Sequence, residues 1–179
     1  MTKRARIALA GAALAALTTG CILISGQFLV QVELGDVSVN SALPVAGMYV
    51  DLPSDGTYRD HKDDIKSLED LVLVGSVHNP GSVGLSVIVY LIDGNPGPLS
   101  SNTITQQGTR VWGPLAVGAG ATEVIDWNRS SALFGSGKDV LLDHVKGDGQ
   151  FSLYAVSDGS PFQFDLKDAV FIAVIGAGK

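Results

Sequence analysis

The chain of 179 residues carries a formal net charge of −6 at pH 7 and contains one cysteine, and both features exclude classes of protein. Nucleic-acid binding needs Lys and Arg side chains that neutralise phosphates, so an acidic chain argues against it. A single cysteine cannot form an internal disulfide, so the hydrophobic core alone must stabilise the fold. The length suits one domain with a sizeable core.

A leader-like segment occupies the first 21 residues. Three of its first six residues are basic, and Ile7–Leu17 is an unbroken run of Ile, Ala, Leu and Gly. The small residues Thr18, Thr19 and Gly20 then precede Cys21. A basic start, an apolar run and small residues at a cleavage site are typical of a secretory signal peptide. The pattern predicts that residues 1–20 are a signal peptide, with cleavage between Gly20 and Cys21.

The segment from Leu17 to Cys21 resembles the lipobox of bacterial lipoproteins, in which small residues and a glycine precede an invariant cysteine. The resemblance covers only the first 21 residues, and it departs from the usual pattern because Thr18 stands where Leu is common. It implies that the Cys21 thiol carries diacylglycerol, that the leader is cut just before it, and that the new amino terminus is acylated. Ile22 follows instead of an Asp, which favours the outer over the inner membrane.

An uncleaved membrane anchor and a plain secreted protein are the alternatives. The 24 residues from Ile7 to Val30 carry no charge, and about 20 apolar residues suffice to span a bilayer. However, Ser25, Gly26 and Gln27 interrupt this run, and the residues that follow it alternate like a strand. We therefore expect a lipid anchor at Cys21 and a short tether over residues 21–27.

The charge of the remaining chain makes acyl groups the expected means of attachment. All 18 Asp and Glu residues follow Cys21, whereas three of the 12 Lys and Arg residues precede it, which leaves a net charge of −9 after cleavage. A surface of this charge does not adhere to anionic lipid electrostatically. Stable anchoring takes two hydrophobic signals, and a triacylated terminus exceeds that requirement.

Residues 28–179 carry the pattern of a single all-β domain. Alternating apolar and polar residues, or short apolar runs bounded by Gly, Pro, Asn and Asp, predict about eight strands, drawn from nine candidate ranges. The predicted strands are Phe28–Leu34, Ala46–Leu52, Leu71–Asn79, Val83–Asp93, Thr103–Gln107, Thr109–Val117, Ala121–Trp127, Phe151–Ser157 and Asp168–Ile175. Because helices do not alternate regularly with these strands, the pattern favours a mainly antiparallel β-sandwich, either immunoglobulin-like or jelly-roll, with one or two short helices inserted.

Two local features refine this prediction. Leu71–Asn79 and Val83–Asp93 predict a hairpin, because Asn79-Pro80-Gly81-Ser82 has the Pro and Gly of a type II turn. A helix is predicted over His61–Leu68 with Asp60 as its cap, and another over Ser136–Val145 with Ser136 and Asp139 as a capping box. Asn128–Phe134 is expected to form a single helical turn.

The most polar part of the chain, the acidic segment 51–70, is a candidate calcium site. Calcium takes six to eight oxygen ligands, which Asp51, Asp55, Asp60, Asp63 and Asp64 could supply in part. Their spacing does not match the EF-hand loop, and Arg59 and Lys62 intervene. The alternative is a solvated helix start whose carboxylates favour the helix dipole.

Trp112 and Trp127 are the two tryptophans and the candidates for carbohydrate binding. Exposed indole rings can stack on sugars, whereas buried ones fill a core, and large aromatic side chains mostly do the latter.

No catalytic constellation is evident in the sequence. There is no G-x-S-x-G motif, the only cysteine is assigned to the anchor, and no phosphate-binding glycine loop ends in Lys-Ser or Lys-Thr. His61, His78 and His144 stand far apart in the sequence, so a hydrolase or metal site would require the fold to bring them together.

The sequence thus predicts a non-enzymatic lipoprotein tethered to the bacterial envelope, without a cofactor, in a structural or interaction role. Its expected partners are the membrane and an unidentified envelope protein or glycan. The alternatives are a carbohydrate- or calcium-binding module and, third, an envelope hydrolase.

Overall fold

The computed structural model describes residues 23–24, 27–158 and 162–177, and nine strands lie in these ranges. The leader, Gly20 and Cys21 lie outside the described residues. The strands are β1 (Leu23–Ile24), β2 (Gln27–Ser41), β3 (Val45–Asp51), β4 (Ile65–His78), β5 (Leu85–Asp93), β6 (Thr109–Val117), β7 (Thr122–Ile125), β8 (Gln150–Ser157) and β9 (Phe162–Ala177).

The strands pair in a nested order. β2 pairs with β9, β3 with β8, β4 with β7 and β5 with β6, and every one of these pairings is antiparallel. The early half of the domain therefore lies along the late half like one long hairpin. Further pairings of β4 with β9 and of β5 with β8 join the strands into two sheets, ordered β1-β2-β9-β4-β7 and β3-β8-β5-β6.

This nested order is that of a jelly roll, in which a long hairpin is wrapped into two facing sheets. The prediction of a mainly antiparallel β-sandwich with short helices is confirmed, and the strand order selects the jelly roll over the immunoglobulin-like alternative. The two residues of β1 pair with Gln27 and Phe28, so strand structure begins inside the predicted tether.

One core joins the two sheets. Leu71 of β4 and Phe162 of β9 come from one sheet, and Leu91 of β5 and Leu115 of β6 come from the other; all are buried and belong to a single apolar cluster. Burying apolar surface contributes about 25 cal/mol per Å², so this shared cluster holds the sheets face to face without a disulfide.

Four helices are inserted between the strands, and two differ from the predictions. They are α1 (Gly56–His61), α2 (Ser101–Gln107), α3 (Trp127–Phe134) and α4 (Gly137–Lys146). The helix predicted over His61–Leu68 is wrong. Asp55, not Asp60, caps α1 by accepting from the Tyr58 N–H, and Ile65–Leu68 instead begins β4. The strand predicted at Thr103–Gln107 is also wrong.

Capping explains the helix α2. The Ser100 hydroxyl accepts from the Thr103 N–H at 3.1 Å, and Ile104 is fully buried beneath the helix. The capping box predicted for α4 does not form, because Ser136 itself has helical backbone angles and makes no capping bond. Within the described part of the chain, no helix is both long and apolar enough to cross a membrane.

The predicted hairpin between Leu71–Asn79 and Val83–Asp93 is wrong, because β4 and β5 belong to different sheets. The connection is a corner held by the side chain of Asn79, which is 1% exposed. Its amide donates to the carbonyls of Val83 and Gly118, and its Oδ1 accepts from the Gly81 N–H at 2.9 Å. The positive φ that a type II turn requires at Gly81 is also absent.

Candidate interaction surface

Helices cover one lateral side of the sandwich. β7 pairs only with Gly75–His78 of β4, which leaves the first ten residues of β4 without a strand on that side. Side chains of α3 and α4 take the place of the missing strand: Ser130 Oγ accepts from the Leu73 N–H at 2.7 Å, and Lys138 Nζ donates to the Glu69 carbonyl at 3.0 Å. This sheet edge is therefore closed to further pairing.

The remaining strand edges on the same side are also protected. β6 ends its sheet, and both α3 and α4 pack against it. β7 has four residues, and the Val124 carbonyl accepts from Arg129 at 3.2 Å. Short strands and covered carbonyls are common means of preventing edge-to-edge pairing.

The opposite side, formed by β2 and β3, has no comparable cover within the described residues. β2 and β3 end their respective sheets apart from the two-residue β1, and residues 42–44 connect them. β2 is interrupted by register shifts around Gly35, which weaken it as a pairing template. β3 pairs with β8 without interruption from Val45 to Asp51. β3 is therefore the regular, open edge of the molecule.

The hydrogen bonds that flank β3 show which of its backbone groups face outward. The Ser157 N–H donates to the Pro44 carbonyl, and the Leu52 N–H donates to the Gly149 carbonyl, so even-numbered residues bond toward β8. Backbone groups alternate in direction along an antiparallel strand, so Gly47 and Tyr49 present theirs to the open edge. The outermost carbonyls on this edge, those of Val45 and Asp51, accept from the hydroxyls of Ser41 and Ser54.

Exposed apolar side chains concentrate at the same edge. Of the eight exposed large hydrophobic side chains among the described residues, five lie on β2, β3 and their connection: Leu34, Val37, Leu43, Met48 and Tyr49. Met48 alternates with Ala46 and Val50, which pack on the core, so it points toward the core side and yet is 61% exposed. Val37, opposite the buried Leu166, is 39% exposed. The core is thus incompletely covered at the open edge.

The open edge is also acidic. Residues 27–58 contain Glu33, Asp36, Asp51 and Asp55 and no Lys or Arg. Asp36 is bound by Lys167 of β9 at 2.7 Å, and this hydrogen bond lowers the pKa of the Asp36 carboxyl. At the other end, the pKa of Tyr49 is raised by burial and then by the nearby carboxylates of Asp51 and Asp148. The carboxylates of Asp51 and Asp148 therefore lie near the end of β3, whereas that of Asp36 is paired with a lysine.

The two tryptophans occupy different environments. Trp112 lies in β6 and is 7% exposed within the core, and its indole N–H has no hydrogen-bond partner among the described residues. Trp127 begins α3, is 38% exposed, and donates its indole N–H to Asp70 Oδ2 at 2.7 Å. Of the two, Trp127 alone is placed to meet a ligand.

The five candidate calcium ligands have separate local roles. Asp51 accepts from the amide of Gln150, Asp55 caps α1, and Asp64 lies 3.6 Å from His61, whereas Asp60 and Asp63 are exposed. In residues 23–24, 27–158 and 162–177, no three His, Cys, Asp or Glu side chains are grouped as metal ligands.

The three histidines likewise lie on different elements of the fold. His61 ends α1 just before β4, and His78 ends β4, whose 14 residues at about 3.3 Å each span roughly 40 Å. His144 on α4 lies 3.3 Å from Asp93. The fold therefore does not bring His61 and His78 together, and a catalytic site of all three does not form.

Asp70 lies in the acidic segment 51–70 that the sequence singled out, but its role in holding α3 was not predicted. Its Oδ1 accepts from the Ser131 hydroxyl at 2.9 Å and from the Leu71 N–H at 2.8 Å, in addition to the Trp127 bond. It therefore fixes α3 on the edge of β4.

Removing this carboxylate should loosen α3. We expect Asp70→Ala to lower the free energy of unfolding by about 2 kcal/mol, because hydrogen bonds to charged groups contribute about 1.5–3 kcal/mol. Asp70→Asn should cost less, because one oxygen still accepts. Urea unfolding followed by tryptophan fluorescence measures both, and the exposed Asp60→Ala is the control. Equal losses for Asp60→Ala and Asp70→Ala would contradict this role.

Comparisons with known proteins give no family. No family model matches the chain, and no curated protein matches it. Among solved structures, the chain is similar to one described as Desmodium yellow mottle tymovirus, with 10% identity over 88% of this chain and 94% of that chain and a TM-score of 0.27. It is also similar to the dimeric latent PorU of Porphyromonas gingivalis, with 10% identity over 90% of this chain and 14% of that chain and a TM-score of 0.29. Likenesses this weak carry no argument about function.

Proposed function

We propose that the protein is a lipid-anchored binding module of the bacterial envelope, without catalytic activity, that uses the open β2–β3 edge to hold an envelope protein. Cys21 carries the anchor, and the outer membrane is its expected site. The observation that carries the binding role is the exposure of core-facing side chains, Met48 and Val37, at a side of the sandwich that no helix in the described part of the chain covers.

The chain places the start of β2 close to the anchor. β2 starts at Gln27, six residues after Cys21, and a fully extended chain spans at most about 3.6 Å per residue. The edge strand β2 therefore starts within about 22 Å of the lipid. β2 is 15 residues long, roughly 50 Å at about 3.3 Å per residue, so the start of β3 at its far end lies farther from the lipid.

Inhibition of lipoprotein signal peptidase tests the anchor. In a bacterial host treated with globomycin, the precursor that still carries residues 1–20 should accumulate and migrate more slowly on a gel. An unchanged mobility would contradict the lipoprotein assignment.

A carbohydrate-binding role is the second candidate. Trp127, whose ring is exposed, is better placed to stack on a sugar than the buried Trp112. The bond to Asp70 fixes the orientation of the ring, as a stacking platform requires. Calorimetry of the full-length protein with envelope glycans, repeated with Trp127→Ala, tests this role; no heat of binding to any glycan would remove it.

A further inference from the structure

We infer that β3 binds an extended segment of another protein by strand addition, and that this segment has alternating apolar residues and basic ends. This inference names the partner class of the proposed binding module and rests on that proposed function. Strand addition supplies main-chain hydrogen bonds along an open edge, and side-chain pockets or charges select the sequence.

The backbone of β3 fits this partner. Its outward carbonyls at both ends are bound by Ser41 and Ser54, whereas Gly47 and Tyr49 between them keep outward N–H and C=O groups without a partner among the described residues. Two residues with both groups outward form the four hydrogen bonds of a short added strand.

The side chains of β3 also fit an added strand. An added strand would cover Met48, which faces the core side and is exposed because its sheet ends at β3. Gly47 needs to be glycine for an internal reason, because a Cβ there would lie 2.6 Å from the ring of Tyr154 on β8. The Tyr154 ring therefore covers β3 at Gly47, and an added strand would cover exposed apolar surface on the other face, at Met48.

Charge favours a basic partner. Asp51 ends β3, and Asp148 lies beside it, because both carboxylates accept hydrogen bonds from Gln150. A Lys or Arg at the end of the added segment neutralises this acidic pair, and it does so with a dependence on salt. Two copies of the acidic chain, each with a formal net charge of −6, repel each other.

Three synthetic peptides test the inference on the full-length protein in detergent. The first is Lys-Val-Thr-Val-Thr-Val-Lys with a fluorescent label, the second replaces both Lys by Glu, and the third is the first with its central amide nitrogens methylated. We expect the first to bind and the other two to bind at least tenfold more weakly by fluorescence anisotropy. Equal binding of the Lys and methylated peptides, or no binding of the Lys peptide, would overturn strand addition.

Variants of the edge locate the site. Tyr49→Pro removes an outward N–H and leaves the bonds to β8 intact, and proline is tolerated on edge strands, so binding should fall at least tenfold relative to Tyr49→Thr. Should Tyr49→Pro not fold, Met48→Lys blocks the edge with a charge, and Val83→Lys, in a loop and 72% exposed, is its matched control. Binding that resists both Tyr49→Pro and Met48→Lys would place the peptide elsewhere and overturn the assignment to β3.

The outcomes separate this inference from the proposed function. Sedimentation that finds a dimer which Met48→Lys dissociates would assign the edge to a second copy and overturn a basic partner. If the precursor accumulates under globomycin but the peptides do not bind, the lipid anchor is supported and strand addition is removed. If the Lys peptide binds specifically but globomycin leaves the mobility unchanged, strand addition is supported and the lipid anchor is removed.

Discussion

Gly137→Ala should lower the free energy of unfolding by about 3 kcal/mol, although alanine is the better helix former. Gly137 opens α4 where the helix crosses β6, and an added Cβ would lie 2.0 Å from the carbonyl oxygen of Val111. That neighbour is backbone in a central part of the core, so the helix must move. Overpacking of this kind typically costs about 1–3 kcal/mol and occasionally more.

Gly56→Ala is the matched control for this prediction. Gly56 also opens a helix, α1, but its added Cβ would lie 3.7 Å from the flexible end of Arg59 and near nothing else. Helix propensity and the reduced entropy of the unfolded chain then predict a gain of about 0.5 kcal/mol. Chemical denaturation of both variants measures the difference; a loss below 1 kcal/mol for Gly137→Ala would contradict the close packing of α4 on β6.

Cys21→Ser should lose its palmitate label completely. The serine has no thiol to receive diacylglycerol, and lipidation contributes about 0.8 kcal/mol of membrane binding for each buried CH₂ group. The acidic domain has no electrostatic attraction to anionic lipid that could replace it. Fractionation, detergent extraction and metabolic labelling with radioactive palmitate measure the change.

Thr19→Ala is the control for Cys21→Ser, because a signal peptidase site accepts small residues and the thiol remains. This variant should keep its label and its place in the membrane fraction. Palmitate that remains on Cys21→Ser would contradict the anchor.

The sequence predicted the strands better than their partners. Period-two patterns located β3, β6 and β8 to within a residue, because each strand buries one face whatever its neighbours are. The Asn79-Pro80-Gly81 connection has the composition of a hairpin turn, but the buried Asn79 makes it a corner between sheets. The composition of a turn does not determine which sheet the next strand joins.

The helices α1 and α2 differ from the predictions for local reasons, whereas α3 and α4 lie where helical structure was predicted. The cap at Ser100 was readable in the sequence, but the threonines that follow it favour strands and misled the prediction for α2. The observed cap of α1, Asp55, and the predicted helix cap, Asp60, lie only five residues apart. The choice between them depends on where β4 begins to pair with β9.

The candidate surface could not be predicted from the sequence. Met48 alternates with Ala46 and Val50 as any core residue would, and its exposure follows only from the position of β3 at the end of its sheet. Likewise, the pattern of α3 and α4 gives no sign that their Ser, Lys and Arg side chains cover strand edges. Exposure at an edge is a property of strand order, which arises from long-range pairing.

Intact mass spectrometry of the protein purified from bacterial membranes shows directly whether Cys21 is the acylated amino terminus. We expect the mass of a chain that begins at Cys21 and carries three acyl chains and glycerol. The mass of an unmodified chain that begins at Met1, with a free thiol at Cys21, would contradict the lipid anchor.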